Sequence, residues 1–300
     1  MLLNFLWVPI TLAAAAAQTG RNATQRKLTG MIGTVGATQV RFLYGFPFAL
    51  LALLAVWLLT GEAIPAPDSG FALYVGAGAV AQILATALML FAMRERSFAV
   101  VTAYTKTEPV QVALFGLVIL GDRLTPLIAF AILIATGGVI LMSVKPGTKL
   151  AGSGLRPVVA GIASGAFFAL SAIGFRGAIL SLGDSSFFIR ATTTLAWSLG
   201  LQTLILLVWL GLFDRDALIK SFRVWRTSLG AGFLGALASQ FWFLGFSLTT
   251  AANVRTLALV EVLMAQAVSH RLLAQGTTRR ELLGMGLIVL GVGLLLAGQM

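Results

Sequence analysis

Cysteine is absent from these 300 residues, and histidine occurs once, as His270. The first absence excludes a disulfide framework, a thiolate metal site and a cysteine nucleophile. The second removes the usual material for a zinc cluster. Charge is scarce as well: 10% of residues are Asp, Glu, Lys or Arg, against about 25% in an ordinary soluble domain. Only ten residues are acidic, too few to furnish the clustered carboxylates of most hydrolytic or metal-assisted sites. No phosphate-binding glycine loop of the P-loop type is present, which excludes direct drive by ATP.

Apolar side chains fill the space that charge leaves. Fifty-eight per cent of the chain is hydrophobic, and the mean hydropathy is +0.96. A soluble protein of this size must still cover its surface with polar groups, so such a chain takes lipid as its solvent. The formal charge of +11 would point to nucleic acid in a soluble protein. Here Lys and Arg sit between apolar blocks, as in the cytoplasmic loops of membrane proteins, and no nucleic-acid partner is expected.

Ten apolar blocks are expected near residues 3–20, 33–59, 71–93, 97–120, 124–143, 156–180, 186–212, 228–248, 252–273 and 281–298. Each is about twice the ~10 residues of a barrel strand, and none alternates polar with apolar, so each is read as a spanning helix. The first block lacks a basic leading segment and is read as a retained helix. Connections are short. The longest polar stretches, Thr60–Gly70, Lys145–Leu155 and Asp214–Thr227, are read as loops. Most of the 33 glycines fall inside apolar blocks, among them Gly230, Gly232, Gly235, Gly284, Gly286, Gly291 and Gly293, where small residues let helices approach closely.

A shift of 153 residues brings the two halves into register without a gap over the fourth and fifth blocks against the ninth and tenth. Glu108 falls on Glu261, Asp122 on Gln275, and Gly138 on Gly291. Five helices per half is an odd number, so the halves insert with opposite orientation. The expected architecture is therefore an all-α integral membrane protein of ten transmembrane helices in two inverted repeats. Residues 1–144 form the first, 145–155 connect, and 156–300 form the second. Inverted repeats of this kind place a substrate site near the bilayer midplane.

The Glu-Pro pair at Glu108-Pro109, the acidic Asp122 before a short turn, and the glycine-rich helix with Gly137-Gly138 resemble the drug/metabolite transporter superfamily of the EamA type. The second half carries Glu261-Val262, Gln275 and Gly291, with valine in place of proline and glutamine in place of glutamate. The resemblance implies a ten-helix secondary transporter with a central cavity, an exporter of amino acids or other metabolites, with both termini inside. Loop charge points the other way on orientation. Fourteen of the 21 basic residues, Arg26 and Lys27 in the first loop and Lys220 in the seventh among them, fall in odd-numbered loops, while Glu62 and Asp68 lie in an even one. That bias puts odd loops in the cytoplasm and both termini outside.

Charges inside apolar blocks are the candidate site. A charge at the bilayer centre costs about 2.5–3.5 kcal/mol on insertion scales, so Arg41, Lys106, Glu108, Arg255 and Glu261 each need a partner or water. Glu108 and Glu261 both lie roughly 16 Å into their blocks. Each has two readings: a carboxylate that carries a proton or meets substrate, or one that braces a bent helix. Lys106 and Glu108 point to different sides of a helix, as do Arg255 and Glu261, so each charge looks to another helix or to a cavity. Arg41 offers a bidentate grip on a carboxylate; a cross-helix pair with Glu108 is the competing account. Tyr44 beside Arg41, Tyr104 and Gln111 beside Glu108, and Trp242 are the aromatic and polar company. Arg21 is read as snorkelling at its helix end. Trp7, Trp57, Trp209 and Trp225 are read as interfacial anchors, Trp197 and Trp242 as deeper.

The leading expectation is thus a membrane-embedded transporter of a small polar solute, an amino acid or another carboxylate, in the plasma (inner) membrane, exporting rather than importing. Its partners are a small-molecule substrate and the lipid bilayer. Protons are a candidate co-substrate, a homodimer is as compatible with the sequence as a monomer, and no cofactor is called for. The alternatives are an integral-membrane enzyme, for which the acidic residues and the one histidine are too few, and a non-transporting scaffold, which has no use for buried charges.

Overall fold

A computed structural model describes residues 5–95, 101, 104–143, 155–264 and 278–299. His270, Gln275, Arg96, Lys145, Lys149 and Arg271 lie outside them. Among the described residues every regular element is a helix. Seven helices are long and apolar enough to cross a membrane: Val35–Thr60, Ser69–Met93, Pro126–Ser143, Arg156–Ser181, Phe187–Phe213, Trp225–Leu248 and Arg279–Ala297; Glu108–Leu120 is a shorter apolar one. Large apolar side chains face outward on these helices, Leu59 at 85% and Val118 at 80% exposure. Water would penalise such a surface and hydrocarbon accepts it.

The chain divides into two compact units. The first comprises Met1–Ile83 and Gly174–Thr249, the second Leu84–Ile173 and Thr250–Met300.

In the first unit, α1 (Trp7–Leu43) opens the chain. The apolar block expected to end at residue 20 continues as helix, and Arg26 and Lys27 lie within it rather than in a loop. The helix breaks at Gly33, with φ 73° and ψ 178°. Residues 25 and 37 would sit about 18 Å apart along one straight helix, yet Gln25 Nε2 donates to the Ala37 carbonyl at 3.3 Å. The two arms therefore fold back acutely at Gly33, with Leu28, Ile32, Ala37 and Val40 packed in the crook against Ala231. That backbone conformation is essentially reserved for glycine, and a side chain there adds about 1–3 kcal/mol of strain. Nothing else crowds the site. Gly33→Val is expected to destabilise the protein by that amount in thermal unfolding, and Gly30→Val, equally uncrowded, by much less.

Beyond the bend, α2 (Phe46–Thr60) follows after Tyr44–Gly45. Pro47 has no N–H for the Leu43 carbonyl, so the helix loosens there. The N-terminal part of α3 (Ser69–Glu95) starts at the Asp68 carboxylate, which accepts the Phe71 N–H at 2.6 Å. The C-terminal part of α6 (Arg156–Ser181), α7 (Phe187–Phe213), α8 (Arg215–Arg223) and α9 (Trp225–Leu248) complete the unit. The stretch Asp214–Thr227, read as a loop, holds the short amphipathic α8, capped by Asp214 accepting from the Ala217 N–H. Arg176 lies within α6 and donates to the carbonyls of Phe246 and Thr249 at 3.0 and 2.9 Å. A guanidinium at a helix C-terminus satisfies carbonyls that have no intrahelical partner.

The second unit contains the remainder of α3 and α6, α4 (Glu108–Phe115) with a π turn over Gly116–Leu120, α5 (Pro126–Ser143), α10 (Ala251–Leu257) and α11 (Arg279–Ala297). A capping box of Thr278 and Glu281 starts α11. Helices α5 and α11 cross through glycine. A Cβ on Gly138 would fall 2.7 Å from the Gly284 carbonyl oxygen, and one on Gly291 would fall 2.7 Å from that of Ala131. The contact is reciprocal. Under the 153-residue shift, Gly138 against Gly284 becomes Gly291 against Ala131. Gly286 and Gly293 meet nothing within 4 Å, so of the four α11 glycines read as packing residues, two are.

Candidate functional site

The sequence-predicted residues fall in both units, and each set is a local arrangement. In the second unit the helix carrying Tyr104 is interrupted at Lys106–Thr107 and restarts at Glu108. Pro109 explains the break, since it cannot donate to the Thr105 carbonyl. The Thr107 N–H turns back to the Tyr104 carbonyl at 3.3 Å instead. In the other half of the chain, α10 stops at Leu257, a turn covers Ala258–Leu259, and helix resumes at Val260. The absent proline at Val262 does not prevent this break. Short i to i+3 bonds carry it, from the N–H groups of Leu259 and Glu261 to the carbonyls of Thr256 and Ala258. Leu259 is buried with Ala135, Val139, Met142 and Ile288 of α5 and α11.

The four charges beside these interruptions pair crosswise. Lys106 Nζ donates to Glu261 Oε1, and Arg255 Nε lies 3.1 Å from Glu108 Oε1. Their side chains keep only 11–16% of their exposure. Each pair joins one half of the chain to the other, and neither joins neighbours in sequence. The second pair sits one turn from the strict image of the first, since the 153-residue shift carries Lys106 to Leu259 rather than to Arg255. Such pairs hold two helices in register and lower the cost of each charge in an apolar medium. Glu108 is thus engaged by Arg255, which replaces the Arg41–Glu108 pair considered from the sequence. Tyr104 packs on α6, where a Cβ at Gly161 would meet its own Cβ at 2.7 Å. Gln111 donates to the Thr107 hydroxyl at 3.4 Å.

In the first unit, Arg41 is 5% exposed and Arg21 8%. Arg21 is therefore buried in mid-helix and does not snorkel. The Arg41 guanidinium lies 5.0 Å from the Phe42 ring centre, a cation–π distance. Tyr44 sits where α1 gives way to α2; its hydroxyl donates to the Ser221 carbonyl at 3.3 Å. Trp242 is buried and its indole N–H donates to Gln18 Oε1 at 3.1 Å. Trp197, read as deeper along its helix, is 51% exposed with an edge contact to Phe71, and Trp7, expected at an interface, is buried. Trp57, Trp209 and Trp225 are exposed as anchors should be. A buried pair that sequence reasoning missed is Gln202 donating to Gln82 at 2.8 Å; two glutamines in separate apolar blocks were its only signal.

Helices apolar enough to span a membrane, with paired charges at interrupted segments, describe a membrane protein. Residues 5–144 match the model of the EamA-like transporter family. That match covers a little under half of the chain. A solved structure described only as a crystal structure of a protein aligns with a TM-score of 0.70 at 14% identity, over 96% of this chain and 98% of its own, a likeness of fold. No curated protein matches the chain. The chain is thus similar over residues 5–144 to a family of membrane transporters, in keeping with its seven helices long and apolar enough to cross a membrane.

Proposed function

We propose that this protein is a secondary transporter that moves a small polar metabolite, an amino acid or another carboxylate, by alternating access, and that export is its working direction. The observation that carries the reading is the crossed pairing of Lys106 with Glu261 and Arg255 with Glu108 at two interrupted helices. A solute carboxylate can take the place of either glutamate on its cation, and a solute ammonium can take the place of either cation. Interrupted helices joined by exchangeable pairs supply the two-state element that alternating access needs.

The repeat reading, 1–144 and 156–300 as inverted five-helix halves, belongs to the same proposal. Its support is the reciprocal α5–α11 crossing and the pair of interruptions before Glu108 and Glu261. Loop charge favours both termini outside. Single cysteines in this cysteine-free chain test it: labelling from outside is expected at Glu62→Cys and not at Lys220→Cys, and the reverse pattern overturns the orientation.

Transport is tested in proteoliposomes loaded with labelled amino and organic acids, measured with and without a pH gradient. Glu108→Gln keeps the shape of the side chain and removes its charge. If Glu108 carries a coupling proton, the response to the gradient is expected to vanish in the variant. An unchanged pH response removes Glu108 from coupling, and no movement of any carboxylate overturns the transport reading.

A further inference from the structure

Within the first unit the chain passes from α7 to α9 through the nine-residue α8. It breaks from each neighbour at a single residue, Asp214 with φ −151° and ψ 67°, and Val224 with φ −94° and ψ 26°. The 27 residues of α7 measure about 40 Å along the axis, against about 30 Å of hydrocarbon in a bilayer. A spanning helix of that length reaches the headgroups at its ends, so α8 begins at that depth. Successive residues turn by about 100°, which divides α8 into three faces. Ala217 and Ser221 are buried, and the Tyr44 hydroxyl donates to the Ser221 carbonyl, seating α8 on the joint between α1 and α2. Ile219 and Phe222 form an exposed apolar face, with exposed Phe213 before it and Trp225 after it. Asp216, Lys220 and Arg223 share the third face, which is exposed. Residues 214–226 hold four basic and two acidic side chains, and both acids are engaged. Asp214 accepts from the Ala217 N–H, and Asp216 pairs with Lys220. Arg215 donates to the Gly211 carbonyl at 2.9 Å. Arg223 and Arg226 are exposed, and among the described residues neither has a carboxylate partner. The Arg226 guanidinium lies 5.4 Å from the Trp225 ring centre.

We infer that α8 is an interfacial docking surface for an anionic glycerophospholipid: Ile219, Phe222 and Trp225 enter the acyl boundary, and Arg223 and Arg226 hold the headgroup phosphate. An apolar face beside a basic one is the pattern that lays a helix in the plane of a membrane surface. Guanidiniums suit phosphate oxygens, and basic side chains next to a spanning helix draw anionic headgroups. Charge complementarity and the exposed apolar face select the same occupant. A free anion uses the arginines and leaves Ile219 and Phe222 without a role. A zwitterionic lipid brings its own cation and gains less from a basic face. Because α8 is seated on Tyr44, a lipid held there also braces the α1–α2 joint. This surface is independent of what the protein transports.

The test uses the full chain, stripped of lipid in neutral detergent at low salt, with thermal unfolding followed as phosphatidylglycerol is added. Phosphatidylcholine and sodium phosphate at equal phosphate concentration are the controls. A saturable rise of a few degrees with phosphatidylglycerol, at least twice that with either control, is expected from binding to the folded state. The rise should shrink as salt is added. Arg223→Gln combined with Arg226→Gln is expected to lose at least half of it, and the same pair changed to Lys to keep most. Phe222→Ser is expected to lose part of it, which a free anion would not require. Arg156→Gln combined with Arg279→Gln removes two exposed cations elsewhere and is expected to keep the rise. Native mass spectrometry gives a second readout that does not depend on stability: bound phosphatidylglycerol is expected on the wild type and the Lys variant, and at half or less on the double Gln variant. An equal rise with sodium phosphate overturns the lipid as occupant, and an equal rise with phosphatidylcholine overturns the role of charge. Full retention in the double Gln variant, or equal loss in the Arg156 and Arg279 variant, overturns α8 as the surface.

Discussion

Lys106→Ala is expected to lower the stability of the folded protein by about 3–5 kcal/mol, the cost of leaving one member of a buried ion pair without its partner. The Glu261 carboxylate keeps little exposure and accepts from the Lys106 ammonium directly, so the variant takes that cation away from a buried carboxylate. Removing both charges has a different outcome. Lys106→Met combined with Glu261→Leu replaces the pair by side chains of similar volume, and such exchanges are neutral or stabilising in other buried pairs. The double variant is therefore expected to unfold near the wild-type temperature while the single one falls well below it. An internal comparison fixes the scale. Lys220 and Asp216 on α8 also pair, but with half or more of each side chain exposed, and breaking that i,i+4 pair is expected to cost about 0.3–0.5 kcal/mol. Losses of equal size at the two sites, or a double variant as weak as the single, would show that the Lys106–Glu261 pair does not hold the unit together. Because the double variant keeps the fold and loses the exchangeable pair, it also separates stability from transport: it should fold and fail to move substrate.

The sequence made the membrane class legible because hydropathy is a local property, summed along one segment at a time. Charges at Lys106, Glu108, Arg255 and Glu261 were recognisable as functional candidates for the same reason, since an ionised group in an apolar block is conspicuous wherever it points. Their partners were not legible. Spacing excluded the near neighbours, but the choice of Glu261 for Lys106 and Arg255 for Glu108 depends on two helix interruptions. One of those has a proline to announce it. The other, at Ala258–Leu259, has none, and arises where Leu259 turns into the core made by α5 and α11. Arg21 was misplaced by a related blindness. The run Gln18 to Asn22 reads as a helix end, but the chain ends its arm at Gly33, and a single glycine among several in the block gives no sign that it alone bends backward. Trp7 shows the limit of reading a place near a helix end as exposure, because position along the axis says nothing about which face meets lipid. Glycine function was half legible for the same reason: the four α11 glycines look alike in the sequence, and their 3.6-residue phase against α5 divides them.

That phase yields the other large expected effect. Gly291→Leu places a side chain where a Cβ already meets the Ala131 carbonyl oxygen at 2.7 Å and the Ala135 nitrogen at 2.7 Å. These are backbone atoms of a neighbouring helix and cannot move without moving α5. Overpacking of this kind costs about 1–3 kcal/mol when side chains can yield, and here none of the opposing backbone can, so the loss is expected at or above the upper end. Gly293→Leu, two residues on, points into open space. It is expected to leave stability unchanged or to raise it by up to about 1 kcal/mol through helix propensity. The reciprocal contact adds a sharper demand. Gly138→Leu meets the Gly284 carbonyl oxygen at 2.7 Å and the Ile288 nitrogen at 2.9 Å, the image of the Gly291 contact under the 153-residue shift, and so its cost should match that of Gly291→Leu. Unfolding of the detergent-purified variants measures all three. Equal losses at Gly291 and Gly293 would mean that glycine matters there for backbone freedom rather than for close approach. A large loss at Gly291 with none at Gly138 would break the symmetry of the crossing and, with it, the main structural support for two repeated halves.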